Sequence, residues 1–253
     1  MAVLQGRHAL VTGGGRGIGR AIAAALAGAG AAVTIVGRTE SALQQAAAAG
    51  HANAWIVADV TRPDMLADGL RPIEAVRGPV DILVANAGGA ESAPFAKTEP
   101  DQFRRMFELN VMGVVHSTRT VLDGMVARGF GRVVAIVSTA GLKGYGYVSA
   151  YCAAKHAVVG LVRSLAAETA ASGVTVNAVC PGYTDTDLVR GSLEKISAKT
   201  GRSRDDALAS LLKDSPLKRL IKPEEVAAAV LYLCSPGAES VTGSTLVVAG
   251  GEV

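Results

Sequence analysis

The chain is poor in the residues that build several common kinds of site. Aromatics make up only 4% of its 253 residues, with 4 Phe, 5 Tyr and one Trp, so little is available to stack on nucleic-acid bases. Charged residues are only 19%, and 25 Lys+Arg against 22 Asp+Glu leave a net charge of +3. That excess is spread along the chain rather than gathered into a basic patch or arm, which argues against a nucleic-acid partner. The three cysteines, Cys152, Cys180 and Cys234, are an odd number without paired spacing, so no disulfide framework is expected. The four histidines, His8, His51, His116 and His156, keep no metal-ligand spacing, and neither H-E-x-x-H nor C-x-x-C occurs. Residues 1–8 lack the charged start and apolar run of a signal peptide. One uncharged stretch, 21–37, is at the short limit for spanning a bilayer, but it is alanine-rich and broken by Gly28, Gly30 and Gly37. It reads as a buried helix, a turn and a buried strand. A cytoplasmic protein with no membrane partner is expected.

What is abundant points to a packed α/β core. Hydrophobic residues are 49% and glycines number 30, a composition far from disorder. Short β-rich runs (8–11, 32–36, 54–57, 81–84, 132–137, 174–179 and 245–248) alternate with helical stretches near 18–27, 40–49, 64–76, 101–127, 150–172 and 224–234. Several runs are apolar throughout, as strands covered by helices on both faces must be. The alternation predicts a doubly wound parallel sheet, a Rossmann fold, in a single domain. Residues 187–215 break the pattern with a charge-rich stretch that includes Arg190, Glu194, Lys195, Lys199, Asp205 and Asp206. This segment reads either as a solvated surface excursion or as a helical lid, the latter because it follows a strand end where ligands bind in such sheets.

Chemistry first appears at Thr12-Gly13-Gly14-Gly15-Arg16-Gly17-Ile18-Gly19. The stretch fits G-x-x-x-G-x-G through Gly13, Gly17 and Gly19, not the commoner G-x-G-x-x-G. Glycines there let backbone approach a pyrophosphate, and a helix start aims N–H groups at the anion. After the second run, where an NAD site usually carries an acid, stand Gly37 and Arg38. Arg16 and Arg38 suit a 2′-phosphate, with no carboxylate expected to compete for them. Further on, Tyr151 and Lys155 are four apart on one helix and share a face, and Ser138 ends the preceding strand. An ammonium beside a phenol favours phenolate and so lowers its pKa, while a serine hydroxyl can hold a carbonyl oxygen. Cys152, beside Tyr151, reads as a small buried helix residue.

Thr12-Gly13-x-x-x-Gly17-x-Gly19, Asn86-Ala87-Gly88, Asn110, Ser138, Tyr151-x-x-x-Lys155 and Pro181-Gly182 together resemble the short-chain dehydrogenase/reductase family, in its order and spacing over essentially the whole chain. The resemblance implies a nicotinamide cofactor and a catalytic set of Asn110, Ser138, Tyr151 and Lys155. It also implies cofactor contacts from Gly13, Gly17, Ile18, Gly19, Asp59, Val60, Asn86, Ala87, Gly88, Tyr151, Lys155, Pro181, Gly182, Thr184 and Thr186. Asn110 would position a proton-relaying water; on its own it also reads as a polar residue that bends a packed helix. Ala85 and Ala249 depart from residues frequent in the family, without touching the catalytic set.

The leading expectation is an NADP(H)-dependent reductase that interconverts a bulky ketone or β-ketoacyl compound and a secondary alcohol. An NAD-dependent 3-hydroxyacyl or 3-hydroxybutyrate dehydrogenase is the alternative, and a catalytically silent nucleotide-binding regulator is a third reading. Lys143 and Arg190 read either as anchors for an anionic substrate group or as solvated cations. Small or apolar residues at Val111, Gly113, Ala153, Ala157, Gly160 and Ala166 exceed what one sheet face needs, and the resemblance implies a homotetramer through those two helices.

Overall fold

Valine, isoleucine and leucine dominate seven short runs, and all seven become strands of one parallel sheet. A computed structural model describes residues 2–253; Met1 and the side chains of Lys195, Lys199 and Thr200 lie outside the described residues. The strands are β1 (His8–Thr12), β2 (Ala32–Gly37), β3 (Ala54–Val57), β4 (Ile82–Ala85), β5 (Gly131–Ile136), β6 (Val174–Pro181) and β7 (Thr245–Val248). Their order, β3-β2-β1-β4-β5-β6-β7, reverses direction between β1 and β4. That switch point leaves a crevice at the carboxyl ends of the strands, where open α/β sheets bind ligands. Every residue of β5 and β6 is buried, as expected for strands covered on both faces.

The helices are α1 (Gly17–Gly28), α2 (Glu40–Ala48), α3 (Pro63–Arg77), α4 (Pro100–Phe107), α5 (Gly113–Ala127), α6 (Ser149–Thr169), α7 (Asp187–Thr200), α8 (Arg204–Leu211) and α9 (Pro223–Cys234). On one face Ile22 and Leu26 of α1, Leu43 of α2 and Val230 and Leu233 of α9 form a core layer with Val11, Val33 and Ile35. On the other, Leu66 and Leu70 of α3, Met125 of α5 and Val158 and Val162 of α6 pack on Leu10, Leu83 and Val133. The doubly wound fold is thus as the alternation predicted. Among the described residues no helix is long and apolar enough to cross a membrane.

Two stretches differ from their sequence reading, and a third, 187–215, takes the helical form that is one of its two readings. The single helix expected at 101–127 is interrupted by a π turn over Glu108–Met112. The excursion 187–215 folds as α7 and α8, with Leu193, Ala207 and Leu212 buried beneath them. Its base is tied off where Ile221 accepts from Asp185 N (2.9 Å) and donates to Tyr183 O (2.8 Å). Finally, two of the small residues assigned to a subunit contact serve the chain's own interior. A Cβ on Gly113 would stand 2.9 Å from Val60 Cγ2, and Ala166 Cβ lies 3.4 Å from the place of a Cβ on Gly243. Gly160, by contrast, is exposed with nothing near it.

Between α6 and β6 the chain reverses at Gly173 with φ +72°, and an added Cβ would fall 2.3 Å from the Gly129 carbonyl oxygen. The left-handed backbone alone costs about 1–3 kcal/mol for a non-glycine residue, and this clash is with unyielding backbone. Gly173→Ala should therefore destabilise the fold by at least that order, read as a lower urea midpoint at unchanged slope. An unshifted midpoint would show that the turn relaxes freely.

Candidate active site

The glycine loop is held by stitches to the neighbouring strand. Asn86, just past β4, donates from Nδ2 to the carbonyls of Thr12 (2.9 Å) and Gly13 (3.3 Å). Thr12 Oγ1 in return accepts from the amides of Asn86 and Ala87, both at 3.0 Å. The loop is packed so closely that a Cβ on Gly19 would lie 2.2 Å from Gly13 O. Gly13 (φ +67°) and Gly17 (φ +49°) take left-handed backbone, and Gly17 faces Thr186, whose Cγ2 would be 3.1 Å from an added Cβ. Arg16, at the N-cap of α1, gives the first turn no side-chain cap. Ile18 packs its half-buried side chain on the core layer. A bare helix start behind a cradle that side chains would fill fits a pyrophosphate.

Past the ends of β2 and β3, one expectation needs correction. Arg38 is not without a competing carboxylate: its Nη1 lies 3.8 Å from Asp59 Oδ2. Proximity across the ends of β2 and β3 brings the two together, which local sequence does not reveal. Asp59 also accepts from the amide (3.0 Å) and hydroxyl (2.9 Å) of Thr61. The Thr61 amide chiefly, with Arg38 adding to it, holds this carboxyl below its usual range. The Arg38 side chain is 74% exposed, so the pairing is weak. Val60 is buried against the start of α5.

The reacting groups gather where β5 meets α6. Ser138 follows the end of β5 and caps the tight turn Thr139–Gly141, its Oγ accepting from Ala140 N at 3.1 Å. Lys155 is buried, and its Nζ donates to Ile136 O at 2.9 Å. One helical turn earlier, the Tyr151 ring centroid lies 5.7 Å from that ammonium. Burial pushes the Tyr151 phenol up to about 12, against a smaller opposing pull from its hydrogen bond with Ser138. Burial likewise brings Lys155 down to about 8. The phenol is thus shifted upward, opposite to the direction that the neighbouring lysine leads one to expect. At neutral pH the phenol keeps its proton, the state a proton donor needs.

Asn110 sits fully buried in the π turn. Its Nδ2 donates to Met106 O and Gly89 O, both at 3.0 Å, and its Oδ1 accepts from Gly89 N at 3.3 Å. A Cβ on Gly88 would be 2.8 Å from Asn110 Oδ1 and 3.6 Å from Lys155 Nζ, so both side chains flank the same glycine. Such π turns in α-helices recur at functional sites.

On the far side, β6 ends at Pro181, and Gly182 N donates to Val248 O at 3.0 Å. Thr184 Oγ1 bonds back to Gly182 O (3.0 Å) and Thr186 Oγ1 to Thr184 O (3.3 Å). Neither cation proposed as an anion anchor stands alone. Arg190 pairs with Asp185 and, at 2.9 Å, with Asp187. Lys143 Nζ is 3.4 Å from Glu252 Oε1. Glu252 was not among the sequence candidates; an acid following a paired glycine near the chain end carries no motif, and only folding brings it to Lys143.

The family model described as short chain dehydrogenase matches residues 7–197. The chain is 42% identical over 249 residues to an acetoacetyl-CoA reductase of Rhizobium meliloti, covering 97% of this chain and 98% of the relative. It is also 42% identical over 249 residues to a cis-4-hydroxycyclohexanecarboxylate dehydrogenase of Sinomonas cyclohexanicum, covering 97% and 96%. A crystal structure of a single-residue variant of actinorhodin polyketide ketoreductase with NADPH superposes with a TM-score of 0.92 at 36% identity, covering 97% of this chain and 96% of that one.

The raised Tyr151 phenol gives a direct spectroscopic expectation. Phenolate absorbance should be the same for the native protein and Tyr151→Phe from neutral pH to about pH 9, below the ordinary tyrosine range. Phenolate lost with Tyr151 inside that range would contradict the assignment of a protonated donor.

Proposed function

This chain belongs to the short chain dehydrogenase family, and from that we propose that it is an NADP(H)-dependent ketoreductase acting on a bulky ketone or β-ketoacyl compound. A reduced nicotinamide, when bound, supplies hydride to the carbonyl carbon. Tyr151 gives its proton to the carbonyl oxygen, which Ser138 holds by a hydrogen bond, and the product is a secondary alcohol. Lys155 stabilises the phenolate left behind and, with Asn110 across Gly88, lies on the path by which the proton is restored. The observation that carries this reading is the half-buried Tyr151 ring set one turn from the buried Lys155 ammonium, its centroid 5.7 Å from Nζ, with burial holding the phenol above its ordinary range.

The glycine loop (Gly13, Gly17, Ile18, Gly19) holds the pyrophosphate, with Asn86, Ala87 and Gly88 beside it. Asp59 and Val60 border the adenine, while Pro181, Gly182, Thr184 and Thr186 border the nicotinamide. Arg16 and Arg38, both exposed at the mouth of this crevice, take the 2′-phosphate. NADPH in the ketoreductase neighbour is in keeping with that choice. Asp59 beside Arg38 favours the second reading, an NAD-dependent hydroxyacyl or hydroxybutyrate dehydrogenase, because a carboxylate there can accept from ribose hydroxyls. The names of the relatives, which act on acetoacetyl-CoA and a ring-bearing alcohol, support a substrate larger than a simple ketone. α7 and α8 stand where a lid would close over it.

Steady-state kinetics with NADPH and NADH decide between the readings. NADPH should be preferred by about tenfold or more, since one charge-assisted bond contributes about 1.5–3 kcal/mol, and Arg38→Asp should erase the preference. Tyr151→Phe should lower the rate by about 10²–10⁴ with cofactor affinity nearly kept. Equal use of NADH by the unaltered enzyme supports the second reading, and no carbonyl-dependent cofactor oxidation at all removes both.

The assembly we propose is a homotetramer joined through the helical stretch 101–127, whose π turn carries Val111, and through the face of α6 that carries Ala153, Ala157 and Gly160. Light scattering should report four times the 25.6 kDa chain mass. A monomer at micromolar concentration would overturn it.

A further inference from the structure

Beside the reacting groups lies a charge pair that the proposed chemistry does not use. Past β7 the chain turns through Gly250 (φ +60°) and Gly251 (φ +90°), and this brings the carboxylate of Glu252 under the loop that follows Ser138. The Glu252 side chain is only 4% exposed. Its Oε1 accepts a hydrogen bond from Tyr145 Oη at 2.7 Å and faces Lys143 Nζ at 3.4 Å. Since Tyr145 spends its proton on Glu252, Thr139 Oγ1 is the donor in the 2.7 Å contact with Tyr145 Oη. Tyr145 in turn meets Tyr183 edge-on with ring centroids 6.1 Å apart. Lys143 and Glu252 therefore sit behind a tyrosine wall between the Ser138 loop and the end of β6.

The two charges differ in their access to water. Lys143 is one-third exposed, while Glu252 is enclosed. A ligand carboxylate approaching Lys143 meets an ammonium already compensated by a buried anion, and must lose its own water to share it. A neutral ester or thioester end bears no such cost. We propose that the Lys143–Glu252 pair is a charge gate that selects substrates whose end near Tyr145 and Tyr183 is neutral and turns away those ending in a carboxylate. The gate rests on the ketoreductase reading and narrows its substrate class.

The test compares two aryl ketones of the same skeleton, 4-acetylbenzoate and its methyl ester. Their affinities are measured by calorimetry on the NADP⁺-loaded enzyme, and NADPH oxidation is followed separately. The unaltered enzyme should bind the ester more tightly. Glu252→Gln keeps an oxygen to accept from Tyr145 but leaves Lys143 uncompensated. The acid-to-ester affinity ratio should then rise by about tenfold, the order expected for a unit charge near a protein surface. Lys143→Met should move the ratio the opposite way, and the double variant should return it close to the starting value. A merely structural pair would not give opposite signs that cancel. The gate is overturned if the unaltered enzyme binds acid and ester equally, if both single variants shift the ratio in one direction, or if neither compound binds. If calorimetry shows the expected pattern while no ketone is reduced, the gate stands and the ketoreductase reading falls.

Discussion

Keeping the Lys155 ammonium out of water constrains most of what surrounds it. A buried cation needs close polar partners, and the one supplied is the Ile136 carbonyl, at 2.9 Å from Nζ. Reaching that carbonyl requires α6 to lie hard against the end of β5, and the approach leaves no room for side chains. A Cβ on Gly141 would stand 2.9 Å from the Lys155 carbonyl oxygen and 2.6 Å from Val137 Cγ1. Gly88 is pinned in the same way between Asn110 and Nζ. Once Lys155 is fixed, helical geometry fixes Tyr151 one turn before it, and the strand end fixes Ser138. The same desolvation that depresses the ammonium raises the phenol, so one packing arrangement moves both groups toward their neutral forms.

The π turn is the second consequence. A regular helix through 101–127 would carry no kink at Asn110, and its amide would have to find partners within the helix. Widening the turn lets Asn110 bond to both backbone groups of Gly89 while keeping the Met106 carbonyl. The loop after β4 is thereby tied to the helical segment that packs against α6, the helix that carries Tyr151 and Lys155.

This contrast explains what could be read from the sequence. The strands and most helices follow from patterns local to ten or fifteen residues, and the glycine loop announces itself because Gly13, Gly17 and Gly19 answer a local steric demand. The π turn is legible only as a bend, since Asn110 reads as a polar residue that bends a packed helix but nothing in Glu108–Met112 specifies a widened turn. The pairings of Arg38 with Asp59 and Lys143 with Glu252 depend on which strand ends the sheet order brings together. Gly113 and Ala166 misled for a related reason, because small residues are equally suited to an outer contact and to tight packing inside.

Those pairings also redistribute the site's capacity for anions. A sequence inspected by charge shows Arg16, Arg38, Lys143 and Arg190 as four cations around one crevice. Folding gives three of them carboxylate neighbours: Asp59 for Arg38, Glu252 for Lys143, and Asp185 and Asp187 for Arg190. Among the described ion pairs Arg16 has none, and it stands at the uncapped start of α1, where backbone amides add to its field. An anion bound there displaces no internal partner, whereas at Lys143 or Arg190 it must compete with one. The electrostatics of the folded chain thus favour an anion at the glycine loop over one at Lys143 or Arg190.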